Sequence, residues 1–246
     1  MIRAEKEGEL RVIWIDRPQK RNALTLPMIE ELRDQLRRAA ADDRASGVVL
    51  AGAGGTTCAG VDLNEFASGT PATARRLIDA LAELCAAARV CPKPTAMAIE
   101  GHCYGGGLEL ACACDFRVAT RGALLAMPEV MLGIPSVIDA ALIERHIGRG
   151  RALQMIMTGD PVSAEEALGW GLLNGVASPE GLLDSCFQLL RRVTRHDPEA
   201  IRRQKALFGD WLNLPFDEGV ERSKAMLVAS FEDGTPQRLA RERLDR

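Results

Sequence analysis

Gly101-His102-Cys103-Tyr104-Gly105-Gly106-Gly107-Leu108-Glu109-Leu110-Ala111 is the stretch on which the reading of this chain turns. It lies between a strand-like run, Thr95-Ala96-Met97-Ala98-Ile99, and a helix-like run that starts near Leu108. Three consecutive glycines let the backbone come close to a ligand, because no Cβ stands in the way. A helix that starts there has free N–H groups, and its dipole favours negative charge at that end. A developing anion can then be met by main-chain donors around Gly106. Glu109, in the first turn, can bring a carboxylate to the same place. A glycine-rich turn packed tightly on a sheet would carry the same residues.

Working outward, the residues before this unit alternate strand and helix signals. Leu10 to Asp16 reads as a strand ending before Pro18. Thr25 is placed to cap a helix with Pro27 in its first turn, through Met28, Leu32 and Leu36. Gly47 to Ala51 is a short buried-type strand, followed by a second glycine-rich loop from Gly52 to Leu63. That loop is not a dinucleotide fingerprint, since Thr57 occupies a glycine position and no helix follows directly. Pro71 to Arg89 is an Ala/Leu-rich helix.

After the central unit come a strand at Asp115–Ala119 and an apolar approach from Ala123 to the carboxylate of Glu129. A helix follows around Ala140–Ile147. From Arg151 the pattern is mostly helical, with Ser163 and Glu166 as a capping box. The expected fold class is α/β, with an all-helical C-terminal third whose apolar stripes suit packing against another subunit.

Composition narrows the function. The 246 residues are 47% hydrophobic, enough for a sizeable core in one large domain with a helical appendage. A net charge of -3 with dispersed Lys and Arg argues against nucleic acid, which wants a concentrated basic face. Apolar runs fall short of the ~18 residues that cross a bilayer, and Met1 to Glu7 lacks a secretory h-region. Seven cysteines without framework spacing suggest reduced thiols in the cytoplasm. Three scattered histidines offer no metal-ligand spacing. Neither a phosphate loop nor a nucleophile elbow occurs.

The ordered set of motifs carries a resemblance. It consists of Arg17-Pro18-Gln19-Lys20-Arg21-Asn22-Ala23-Leu24, Cys58-Ala59-Gly60-Val61-Asp62-Leu63, Gly101 through Glu109 with Asp115, and Pro128-Glu129-Val130-Met131-Leu132-Gly133. Thr158-Gly159, Ser163 to Ala167 and Trp170-Gly171-Leu172 complete it. Over about residues 10–190 the chain resembles the crotonase superfamily, the enoyl-CoA hydratase/isomerase family.

That resemblance implies a spiral of ββα turns over residues 1–190 and a helical trimerisation region over 191–246, with trimers often paired into hexamers. It implies an acyl-CoA substrate of fatty acid metabolism and no cofactor beyond the coenzyme A of that substrate. The thioester carbonyl would sit between the backbone N–H groups of Val61 and Gly106. Glu109 would orient and activate a water, and Glu129 would deliver a proton to Cα, which is the pattern of the family's hydratases. Two carboxylates sharing one water should not both be ionised, so one is expected to have a raised pKa. Lys20 and Arg21 are the expected phosphate contacts, and Ala23 and Leu63 the adenine contacts. Ala59, Asp62, Gly105 and Pro128 complete the expected binding positions. The sister reactions of the family (isomerisation, retro-aldol cleavage, decarboxylation) and a silent acyl-CoA binder remain alternatives.

Two departures stand out. Asn64 takes the place of a lysine common after Ala-Gly-x-Asp-Leu, removing one cationic contact to coenzyme A. Gly133-Ile134-Pro135-Ser136-Val137-Ile138-Asp139-Ala140-Ala141 replaces a Gly/Pro-rich turn beside the acyl pocket and introduces a third acid, Asp139.

Overall fold

A computed structural model describes residues 1–245, which form two compact units, Met1–Thr194 and the chain from Arg195 onward. In the first unit, β1 (Ile2–Glu7), β2 (Leu10–Ile15), β3 (Gly47–Gly52), β4 (Thr95–Ile99), β6 (Phe116–Thr120) and β9 (Gly175–Ala177) make one sheet in that order. Only β1 with β2 is antiparallel. A second sheet runs β5 (His102–Tyr104), β7 (Leu124–Ala126), β8 (Val162–Ser163).

The central strands β3 and β4 are apolar on both faces because both faces are covered, while the edge strand β1 is polar and exposed. Ile13, Ile15, Val48, Leu50, Met97 and Ile99 join the core formed with α1 (Leu26–Ala41), α3 (Pro71–Arg89) and α4 (Gly106–Ala113). Val12, Val49, Ala51, Ala96, Ala98 and Val118 face α8 (Leu182–Thr194), whose Leu182, Cys186, Phe187 and Leu190 form one stripe. The period of two along each strand sorts these side chains.

Each turn of the chain lays a strand in the main sheet and then a short one in a second layer. β4 continues into β5 and α4, and β6 continues into β7. Isolated parallel bridges extend that layer, joining Leu24 to Val61 and Cys58 to Cys103. This is the expected spiral of ββα turns.

Local readings hold with small shifts. The helix at Pro71–Arg89 has the expected bounds, and the Ser163–Glu166 capping box makes both of its bonds. The Thr25 side chain makes no cap bond, although it stands at the N-cap. The C-terminal third is not wholly helical, because β9 pairs with β6 at the sheet edge. β5, three residues long, is too short to show a period of two in sequence. Besides α2 (Leu63–Ala67), the first unit contains α5 (Ala140–Ile147), α6 (Arg149–Thr158) and α7 (Ala164–Trp170). The second unit is helical, with α9 (Pro198–Asn213), α10 (Phe216–Ala229) and α11 (Thr235–Leu244); the last residue of the expected C-terminal region, Arg246, lies outside the described residues. No helix among the described residues is long and apolar enough to cross a membrane.

Candidate active site

Gly105 sits at the N-cap of α4 with φ 51° and ψ -126°, a conformation that L side chains avoid. A Cβ at this position would come within 2.5 Å of the Glu129 Oε1, so the glycine is what lets that carboxyl approach the backbone. The Gly105 N–H is tied to the Ala126 carbonyl at 2.9 Å. Gly106 is the first helical residue, and its N–H belongs to the set that a helix leaves without an internal partner. A Cβ on Gly106 would be 2.9 Å from Leu81 and 3.7 Å from Val61, so its absence brings three elements together.

The facing loop aims a second donor. In the parallel bridge, Leu24 N–H donates to Gly60 O and Asp62 N–H donates to Leu24 O, both at 2.8 Å. That pairing turns the intervening Val61 N–H away from Leu24. Among the described residues, the Val61 N–H has no backbone acceptor.

Asp62 holds this loop in place. Its carboxylate caps α2 through the Asn64 N–H at 3.0 Å, accepts from the Asn64 side-chain amide at 2.8 Å, and pairs with Arg17 at 2.5 Å. These bonds, the Asn64 N–H foremost and Arg17 next, lower its pKa below the ordinary carboxylate value. The Asn64 side chain thus completes a cap where the resemblance led one to expect a cation. Asn22, at φ 57°, donates to the carbonyls of Ala53 and Thr56 and ties the loop of Lys20 and Arg21 to that of Val61.

All of these elements border one cavity of about 630 Å³. Its lining includes every expected site residue: Lys20, Arg21, Ala23, Ala59, Val61, Asp62, Leu63, Gly105, Gly106, Glu109, Pro128 and Glu129. Ile134, Pro135 and Val137, from the segment expected beside the acyl pocket, also line it, whereas Ile78 and Leu81 of α3, Phe66 of α2, and Met131 and Leu132 escaped the sequence reading. The helix Pro71–Arg89 was legible, but which of its faces meets the cavity is decided by tertiary packing. The lining is mostly apolar, with few polar groups converging, as is usual for small-molecule sites.

Two carboxyl groups face this cavity from different settings. Glu109, in the first turn of α4, is only 3% exposed, and its Oε1 accepts the Ala140 N–H at 3.1 Å. Burial, with the charges of Glu129 and Asp139 adding to it, pushes its pKa up to about 8 against the pull of that bond. Glu129 lies half-buried on the 3-10 turn Pro128–Leu132, and its Oε2 accepts from the Ser136 hydroxyl at 2.9 Å. The expected raised pKa is therefore found on the deeper carboxyl. Main-chain donors, one neutral carboxyl and a second, more open carboxyl beside an apolar chamber suit proton chemistry next to a carbonyl.

The opposite end of α4 is fixed by Arg117, which is buried and donates to the carbonyls of Ala111, Cys114 and Leu172. Cys103 belongs to the core. Among the described residues, no group of three His, Cys, Asp or Glu side chains is arranged to hold a metal ion.

Comparison with known proteins agrees with this geometry. A family model described as enoyl-CoA hydratase/isomerase matches residues 5–238. The crotonyl-CoA hydratase of Syntrophomonas wolfei is 32% identical, over 88% of this chain and 84% of its own length. The 2,3-dehydroadipyl-CoA hydratase of Escherichia coli is 31% identical, over 93% of this chain and 90% of its own. The crystal structure of an enoyl-CoA hydratase from Bacillus anthracis superposes with a TM-score of 0.90 at 28% identity, covering 98% of this chain and 96% of that one.

Proposed function

The chain belongs to the enoyl-CoA hydratase/isomerase family, and from that premise we propose that it adds water across the double bond of a 2-enoyl-CoA to give a 3-hydroxyacyl-CoA. The observation that carries the reading is the meeting of Glu109 and Glu129 at one cavity with the Val61 and Gly106 N–H groups.

In this reading the thioester oxygen lies between those two N–H groups. A water is held by the two glutamates. Its oxygen bonds to Cβ, its proton passes to the Glu129 carboxylate, and the displaced electron pair collects on the thioester oxygen as an enolate. Glu129 then returns the proton to Cα and is restored. Glu109, neutral at rest, orients the water without adding a second negative charge beside the forming enolate. Fixed backbone dipoles meet that charge without reorganising, and loss of one such donor typically costs about 10²–10³ in rate.

Lys20 and Arg21 are the proposed phosphate contacts, and Ala23 and Leu63 those of the adenine. Ala59, Asp62, Gly105 and Pro128 shape the passage between the two ends, Asp62 through the cap and ion pair that hold Val61. The chemistry is acid–base, and the only coenzyme it uses is the CoA of the substrate. A homotrimer, alone or paired into a hexamer, is the proposed assembly, supported by large apolar side chains left exposed in the second unit, among them Phe216, Val228 and Leu244. The cytoplasm is the proposed compartment, in keeping with seven buried cysteine thiols.

Double-bond isomerisation is the second reading. It needs one working base alone, and the raised pKa of Glu109 leaves Glu129 for that role, as in the hydratase reading.

The direct test is loss of the conjugated-thioester absorbance of crotonyl-CoA, with Glu129→Gln run beside the wild type and CoA-ester binding measured on both. Turnover should fall by about 10²–10⁴ in the variant, the usual worth of a general acid–base group, with binding retained. Tight binding without turnover by the wild type would defeat the hydratase assignment.

A further inference from the structure

The segment that departs from the family pattern supplies partners to both glutamates. Ser136 donates to Glu129, and four residues later the Ala140 N–H donates to Glu109. Between them lies Asp139, 5% exposed, whose Oδ1 is paired with the Arg89 guanidinium at the end of α3. Asp139 is the N-cap residue of α5, yet its side chain makes no cap bond. It turns to Arg89 instead, and its second oxygen, Oδ2, is buried without a hydrogen-bond partner among the described residues. An orphaned buried carboxylate oxygen is costly and calls for an explanation. Helix capping does not supply one here.

We infer that the Arg89–Asp139 ion pair is a positioning unit for Glu109, setting both the orientation of its carboxyl group and the charge that the group carries. The orientation follows from chain connectivity. Arg89 pins Asp139, and the next residue presents the N–H that fixes Glu109 Oε1. The charge follows from placement: burial raises the Asp139 pKa, the Arg89 guanidinium opposes that rise, and the ion-paired carboxylate stands near a buried acid. Like charges in a poorly solvated site disfavour a second ionisation.

The charged and titratable groups around Glu109 are few. Glu129 faces it from the turn after β7, and Asp139 from the head of α5. From α3, the Cys85 thiol lies within reach of the charges of Glu109, Asp139 and Arg89, and burial holds it neutral. On α4 itself, the buried Cys112 thiol is likewise held neutral. His146 of α5 reaches the Cys112 carbonyl and is kept neutral by burial and by Arg117. Asp139 is therefore the anion outside the catalytic pair that bears on Glu109.

The inference deepens the hydratase reading, and depends on it only for its kinetic arm. The first readout is the infrared carbonyl stretch of a protonated carboxyl group, assigned to Glu109 by its loss in Glu109→Gln. In the wild type the band should disappear as pH rises through about 8. In Asp139→Asn it should disappear at a pH lower by on the order of one unit, as expected when a nearby like charge is removed. The basic limb of kcat should move with it while KM stays nearly unchanged, a shift that mere loss of packing would not produce. Should the asparagine variant not fold, Arg89→Met with Asp139→Asn removes both charges and leaves neither buried unpaired, and a smaller downward shift is expected, because Asp139 rather than Arg89 is the charge that bears on Glu109. An unmoved band in the folded variant overturns the inference. A moved band in a protein that never hydrates an enoyl-CoA leaves the inference standing and removes the hydratase reading instead.

Discussion

The first turn of α4 and the 3-10 turn at Pro128–Leu132 each present one glutamate to the same cavity, and they do so by opposite means. All eight residues of α4 are buried, while none of the five in the 3-10 turn is. Glu109 is gripped by a main-chain N–H and surrounded by core; Glu129 is held by one hydroxyl and borders the open chamber. The lesson is that burial can push a glutamate's pKa well above its ordinary value, as it does for Glu109. A site that needs one acid and one base can obtain both from glutamate.

The sharpest way to break this contrast is to push the two regions apart. Gly105→Ala would set a Cβ 2.5 Å from Glu129 Oε1, at a backbone conformation only glycine adopts readily. A misplacement of about 1 Å can cost roughly 10²-fold in rate, and a drop of that order in kcat is expected. Denaturant unfolding should show an accompanying loss of about 1–3 kcal/mol from the strained backbone.

A second test reads the contrast through stability. Glu109 has a folded-state pKa near 8 against an ordinary value of 4.5. The folded protein therefore binds this proton more tightly than the unfolded chain does. The resulting stabilisation is complete below the ordinary value and is lost as pH rises through about 8. Melting temperatures of wild type and Glu109→Gln, compared across that window, should show the wild type losing ground steadily as pH rises. A constant difference would mean that Glu109 is already ionised.

The smallest effect is expected at Glu129. Ser136→Ala removes one hydroxyl bond, worth about 0.5–1.5 kcal/mol, so kcat should fall by about 2–10-fold. The titration of Glu109 should stay where it is. A matching shift at Glu109 would show that the two regions are not separately controlled.

The same contrast marks what could be read in sequence. The strand–glycine–helix unit was legible because glycine runs and unbroken apolar runs are local signals. The start of α4 was not, since Gly106 and Gly107 are poor helix formers and read as loop, with the helix beginning only near Leu108. The depth of Glu109 was equally hidden. It comes from the packing of α3 and α5 around α4, between residues far apart in the chain. Asn64 was visible as a departure from the family pattern, but its compensating bond to Asp62 was not, because a side-chain cap is settled by geometry. The apolar wall from Ile78 and Leu81 depends on how α3 is turned, which an Ala/Leu-rich sequence leaves open.

Whether both carboxyl groups take part in the reaction is decided most directly by product analysis of wild type, Glu109→Gln and Glu129→Gln with 2-enoyl-CoA and 3-enoyl-CoA side by side. The hydratase reading expects the wild type to convert 2-enoyl-CoA to the 3-hydroxyacyl-CoA and both variants to lose that activity. Absence of hydration, with 3-enoyl-CoA isomerised by the wild type and nearly as well by Glu109→Gln, would contradict it and leave Glu129 as the single working carboxylate of an isomerase.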